Sequence, residues 1–305
     1  MRTINLGAAG LRVPTLAVGC MRINEINKAK ASRFVKAALD LGANFFDHAD
    51  IYGKGSCEEI IAEAIGMNPG IREKILIQSK CGIRPGSFDF SKKYILASVD
   101  GILKRLKTEY LDVLLLHRPD ALVEPEEVAE AFGELHQSGK VRHFGVSNQN
   151  PLQIQLLRRY VKQPIVANQI QLSITNCTVI SQGLHNNMQD EFAVQRDGNV
   201  LDFCRLNDIT IQCWSPFQYG FFKGVFLDNP EFPELNAAIN KAAKKYSVAN
   251  TTIALAWLLR HPAGLQPVTG TMNPERLKDC VRAADITLTR EEWYAIFCAA
   301  GNVLP

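Results

Sequence analysis

Apolar positions along the chain recur with two alternating periods. From Ala29 to Leu41, Phe34, Ala37, Ala38 and Leu41 fall at helical spacing and the pattern stops at Gly42. Ala43 to Asp47 (ANFFD) is then a short apolar run of strand type. The alternation continues downstream. Ser56-Cys57-Glu58-Glu59 has the S-x-x-E form of a capping box ahead of the helical segment IIAEAIG. Lys74 to Ser79 reads as a strand, and Ser91 to Leu106 carries Ile95, Val99, Ile102 and Leu106 on one helical stripe. Leu111 to Leu116 is a buried strand. Pro125 opens a helix through Val128, Phe132 and Leu135 that Gly139 stops. Val141 to Ser147 is a strand, Asn150-Pro151 begins a helix, and Pro164–Gln169, Ile209–Trp214 and Leu265–Thr269 are further strands. Leu16 to Gly19 supplies the first strand, and Thr289-x-x-Glu292 opens a last helix.

Strands separated mostly by helices are the pattern of parallel βα units. Eight of them predict a single (β/α)8 TIM barrel across residues 1–305, because closure removes the edges of a parallel sheet. An open doubly wound sheet would place a G-x-G-x-x-G fingerprint after its first strand, and none is present. The segment Leu6–Pro14 is expected to form a short N-terminal β-hairpin plugging the barrel bottom, with an additional C-terminal helix at the other end of the chain. Long loops are expected at Leu172–Asn199 and Phe217–Pro233.

Composition narrows the class. The 305 residues are 47% hydrophobic and carry a net charge of +3, spread without a block of like charges. That balance gives no electrostatic footprint for nucleic acid or an anionic membrane, so neither is expected as a partner. No apolar run approaches the roughly 18 residues of a membrane span, and MRTINLG lacks the apolar stretch of a signal peptide. A cytoplasmic setting is the expectation. Cysteines 20, 57, 81, 177, 204, 213, 280 and 298 contain no CxxC pair and read as reduced thiols used as small core residues. Cys57 and Cys81 stand near the candidate site and are expected to be open to modification; no metal site is expected.

Candidate chemistry lies at the strand ends, where barrels place it. Strand two ends at Asp47, with Tyr52 in the next loop; strand three ends at Lys80, strand four at His117, strand five at Ser147-Asn148, strand six at Gln169 and strand seven at Trp214-Ser215. Taken singly, each has a plain structural reading: a turn cap for Asp47, packing for Tyr52 and Trp214, a solvated strand end for Lys80, a loop brace for His117. Taken together they make a site. A carboxylate compensates a lysine, the ammonium lowers the proton affinity of a neighbouring phenol, and a histidine shares the substrate oxygen.

These residues resemble the aldo-keto reductases over essentially the whole chain. The resemblance is carried by NFFDHADIYG at 44–53, QSKCG at 78–82, LLLHRPD at 114–120 and GVSN at 145–148. It implies NADP(H)-dependent reduction of an aldehyde or ketone to an alcohol, with Asp47, Tyr52, Lys80 and His117 as the catalytic tetrad and Tyr52 as general acid. By the same resemblance Ser147, Asn148 and Gln169 hold the nicotinamide carboxamide, and Trp214 stacks on the ring. Ser215, Phe217, Gly220 and Phe221 belong to the loop over the pyrophosphate, while Gly270, Thr271, Arg276 and Asp279 belong to the adenosine 2′-phosphate segment. Met21 and Arg118 are substrate-facing by loop position. Two departures bear on the cofactor: Gly270 stands where some members have lysine, and Cys280 where many have an adenine-binding asparagine. The short C-terminus implies an open pocket. Competing readings are a cofactor-binding sensor subunit resembling potassium-channel β subunits, and a Schiff-base aldolase using Lys80, which a salt bridge to Asp47 would disfavour. Natural substrate and oligomeric state are left open.

Overall fold

The computed structural model describes residues 1–305. Eight parallel strands, here β1 (Ala17–Gly19), β2 (Phe45–Asp47), β3 (Leu76–Cys81), β4 (Leu111–Leu116), β5 (Val141–Ser147), β6 (Ile165–Gln171), β7 (Thr210–Trp214) and β8 (Gln266–Thr269), pair in chain order and close into a barrel through β8 and β1. Helices on the outside cover it, and apolar residues between strands and helices form the main core, among them Phe34, Ile61, Phe132, Phe144 and Trp257. A second apolar cluster of Leu6, Val13, Ala17, Phe45, Val113, Leu115, Val166 and Val268 fills the lower barrel.

The N-terminal hairpin pairs Thr3–Asn5 with Arg12–Pro14 and plugs that end. Its turn enters at Gly7, with φ +53°, where an added Cβ would sit 2.4 Å from the Val166 carbonyl oxygen; only glycine permits the approach. The Gly7 amide donates to Thr210 Oγ1 at 2.8 Å, tying plug to barrel.

Several expectations need correction. Ser56 caps nothing: the helix Ser56–Ile65 begins after Gly55 without a side-chain cap, and Ser56 Oγ donates back to the Gly53 carbonyl at 2.8 Å. Glu58 turns inward to accept from Ser79 Oγ and Arg105 Nε. Asn150 and Thr289 do form capping boxes with Gln153 and Glu292. The two long loops are structured: Thr178–Leu184 is helical, and Gln218–Tyr219 pairs with Gly224–Val225. Helix Asn250–Leu259 is apolar on most sides and so shows no amphipathic stripe. The C-terminal helix Arg290–Ala299 docks on it through Trp257 and Trp293, whose rings stack at 4.7 Å. Each indole N–H donates to the other residue's carbonyl, at 3.0 and 2.9 Å.

Candidate active site

The C-terminal ends of the strands open into one cavity of about 1290 Å³, lined by Tyr52 and His117 at one end and by Thr271, Asn273 and Arg276 at the other. Asp47 and Lys80 meet at the floor because β2 and β3 pair with Asp47 opposite Gln78, which carries Lys80 one turn of the pleat higher on the same face. Lys80 is fully buried and donates from Nζ to Asp47 Oδ2 at 2.7 Å, to the His48 carbonyl at 2.7 Å and to Tyr52 Oη at 3.3 Å. Its three protons are thereby assigned. Tyr52 opens the turn Tyr52–Gly55, which swings its ring over the lysine, and the His117 ring stands 6.0 Å away, edge-on.

A layer of side-chain amides inside the barrel supports Asp47. Gln78 Nε2 donates to Asp47 Oδ1 at 2.5 Å and to Gln212 Oε1 at 2.9 Å; Gln169 Nε2 donates to the same two oxygens at 3.1 Å. Gln212 Nε2 passes the chain to Gln266, which ends on the Pro14 carbonyl at 2.6 Å. Asp47 accepts at both oxygens, and a buried charge so bonded is held in one orientation. This layer was missed from the sequence. Its signal was present as glutamines at 78, 169, 212 and 266, each within a barrel strand.

Burial and charge set the protonation states. Burial by itself would lower the Lys80 pKa, but Asp47 and then Tyr52 outweigh it, and the pKa is raised. The lysine stays an ammonium, contrary to what an amine nucleophile needs. For Tyr52 burial is the largest influence and raises its pKa; Lys80 lowers it, but not enough to offset burial. The expectation that the lysine gives the phenol a reduced proton affinity is thus corrected: Lys80 only limits the rise. Burial, then the charges of Lys80 and Arg118, hold His117 well below 6.5, so its imidazole is neutral at neutral pH. Its Nδ1 is buried without a partner.

On the far wall, Ser147 Oγ donates to the Gln169 carbonyl at 2.8 Å, Asn148 Nδ2 to Ser147 Oγ at 2.7 Å, and Trp214 Nε1 to Asn148 Oδ1 at 3.1 Å. Asn148 and Ser215 both take left-handed backbone conformations, φ 57° and 53°, turning the chain sharply where β5 and β7 end. Met21, Arg118, Ser215, Phe217, Gly270, Thr271 and Arg276 line the cavity with them. Gly220, Phe221 and Asp279 do not. Phe221 is 68% exposed, and its neighbour Phe222 stacks on Trp214 instead, at 5.7 Å. Cys280, buried, faces the cavity in place of Asp279.

The other end of the cavity is more cationic than the sequence pattern indicates. Arg22, Lys30 and Arg33 line it beside Arg276. Arg22 Nη1 lies 3.8 Å from where a Cβ on Gly270 would stand, so a guanidinium from the β1 loop occupies the space beside the glycine. Cys57 and Cys81 are buried, and burial raises both thiol pKa values, which shields them from modification; Cys298 is the exposed cysteine.

The sequence matches the model of the aldo/keto reductase family over residues 15–297. It is 36% identical to an oxidoreductase of Bacillus subtilis, YcsN, covering 98% of both chains. It is 32% identical to a 6-dehydroglucose reductase of Novosphingobium aromaticivorans, covering 98% of this chain and 96% of the relative. Among solved structures, a thermostable aldo-keto reductase in complex with the inhibitor epalrestat superposes with a TM-score of 0.77 at 26% identity, covering 98% of this chain and all of that one. The chain belongs to the aldo/keto reductase family. It is an oxidoreductase whose family implies small carbonyl substrates. No helix is long and apolar enough to cross a membrane.

Proposed function

We propose that the protein reduces an aldehyde or ketone to an alcohol with NADPH, Tyr52 acting as general acid. The observation that carries this is Lys80 Nζ, fully buried and shared between Asp47 and Tyr52 Oη at the floor of a cavity of about 1290 Å³. The residues present fit such a cofactor. Gln169 commits its amide nitrogen internally and leaves Oε1 to accept from a carboxamide. Arg22 and Arg276 at the other end form no ion pair within the chain and suit a phosphate. When bound, the cofactor supplies hydride to the carbonyl carbon.

The chain's own residues do the rest. Tyr52, protonated because burial raises its pKa, holds its proton toward the carbonyl oxygen and gives it up as negative charge builds there. Lys80 stands ready to stabilise the phenolate left behind, and Asp47 with the amide layer keeps that ammonium aimed. Neutral His117 is placed to donate a ring N–H to the same oxygen without competing for the proton. Ser147 and Asn148 are the residues to orient the carboxamide, and Trp214 to stack on the ring. The Arg22 guanidinium beside Gly270 compensates for the lysine absent at that position, so NADPH is favoured over NADH. Consumption of NADPH and NADH with a panel of aldehydes, α-dicarbonyls and quinones tests the reading: kcat/KM should be higher with NADPH, and Arg276→Ala should narrow the difference about tenfold or more. Equal use of both cofactors would remove the phosphate assignment; no turnover of any carbonyl would remove the reductase assignment.

A further inference from the structure

Arg118 follows His117 directly and lines the cavity with Tyr52. It is half-buried and forms no hydrogen bond or ion pair within the chain. Burial lowers its pKa, and Tyr52 is the one titratable neighbour whose charge bears on it; no carboxylate does. The guanidinium carbon lies over the Trp214 ring, 5.5 Å from its centre, within cation–π range, and its N–H donors have no partner in the chain. Lys80 is matched by Asp47 and His117 is neutral, so Arg118 is the uncompensated positive charge at this end of the cavity. Partial burial of an unpaired guanidinium is costly, and a carboxylate with its two oxygens matched to the fork relieves that cost. Apolar Met21, Ile51 and Phe217 line the same cavity.

We propose that Arg118 selects carbonyl substrates bearing a carboxylate, pairing with it bidentately while the apolar body lies against Met21, Ile51 and Phe217 and the carbonyl faces Tyr52. The proposal rests on the reductase reading for its kinetic consequence, but not for its binding consequence. Two measurements separate them. The first compares kcat/KM for 3- and 4-carboxybenzaldehyde with that for the corresponding neutral formylbenzamides, in the wild type, Arg118→Met and Arg118→Lys. The second is calorimetric binding of the same four aldehydes to the NADP+-saturated protein, where no hydride is available. In Arg118→Met the acid-to-amide ratio should fall about 10- to 100-fold in both measurements, with Arg118→Lys intermediate. Comparing ratios between variants cancels the intrinsic reactivity of each aldehyde and any general loss of folded protein. A ratio unchanged in Arg118→Met, or acid and amide bound equally by the wild type, overturns the proposal. If no aldehyde is turned over but calorimetry shows an acid preference lost in Arg118→Met, the reductase reading fails and the carboxylate site stands.

Discussion

Lys80 in β3 and Asp50 in the loop after β2, joined by a backbone hydrogen bond, differ in charge state: one is held charged, and burial favours the neutral form of the other. Lys80 is held charged by partners on three sides. Its replacement by methionine removes the charge that limits the rise in Tyr52 pKa and leaves Asp47 buried without its ion. The phenol then ionises at higher pH, so the alkaline fall in reduction should move upward and the maximal rate should drop about 100-fold or more. A pH profile of kcat in Lys80→Met checks this; an unmoved alkaline limb would assign that titration to another group. Asp50 is different. Burial first, then Glu58, raises its carboxyl from 3.8 to about 7, against the smaller pull of Arg105, and Oδ1 has no partner. A carboxyl raised on folding keeps its proton in the native state after the unfolded chain has lost it, so stability falls as pH rises between about 4 and 7. Asp50→Asn abolishes that loss. It should stabilise the protein more at pH 8 than at pH 4.5, by about 3 kcal/mol, as measured by urea unfolding at the two values. An equal effect at both would mean the side chain is neutral or well solvated throughout.

At the scale of single elements, local signals succeeded where the chain had nothing better to do with a side chain. Asn150 and Thr289 cap their helices because both sit at exposed turns with a Gln or Glu three residues on. Ser56 offers the same spacing to Glu59, yet the helix starts at Ser56 itself with left-handed Gly55 as its N-cap, so the Ser56 hydroxyl lies inside the first turn and donates back to the Gly53 carbonyl. Asn150→Ala should therefore cost about 1 kcal/mol, whereas Ser56→Ala should cost a few tenths, both read from thermal or denaturant unfolding. Comparable losses would restore Ser56 as a cap. The loop after β7 failed for a related reason. Its register depends on left-handed turns at Ser215, Gly220 and Phe222, which spacing does not reveal, so Phe222 stacks on Trp214 while Phe221 meets it only edge-on. Cys280 in place of Asp279 is the same kind of one-residue displacement, on a helix whose face toward the cavity was not legible in advance.

For the whole molecule, the alternation of periods was enough for the barrel, because eight parallel strands have one economical way to lose their edges. The same alternation put Asp47, Lys80, His117, Ser147 and Gln169 at strand ends, and the structure has each within two residues of one, where a barrel gives a side chain a fixed place; β3 and β6 run on to Cys81 and Gln171. Less legible were features that depend on closure itself. The amide layer needs Gln78, Gln212 and Gln266 to meet across the barrel, with Gln78 and Gln212 134 residues apart in the chain. Arg22 meets Gly270 only because β8 pairs with β1. The Tyr52 pKa is of the same kind: the order of residues shows the Lys80 pairing that lowers it, but the burial that outweighs that pairing belongs to the folded cavity. On the proposed mechanism this cavity brings a proton donor, Tyr52, to a carbonyl beside a nicotinamide. The most direct test is turnover of NADPH with a good aldehyde substrate by Tyr52→Phe, alongside cofactor affinity measured by fluorescence. Loss of the hydroxyl should lower kcat by about 10²- to 10⁴-fold while leaving cofactor affinity within about twofold; turnover equal to that of the wild type would rule out Tyr52 as the proton donor.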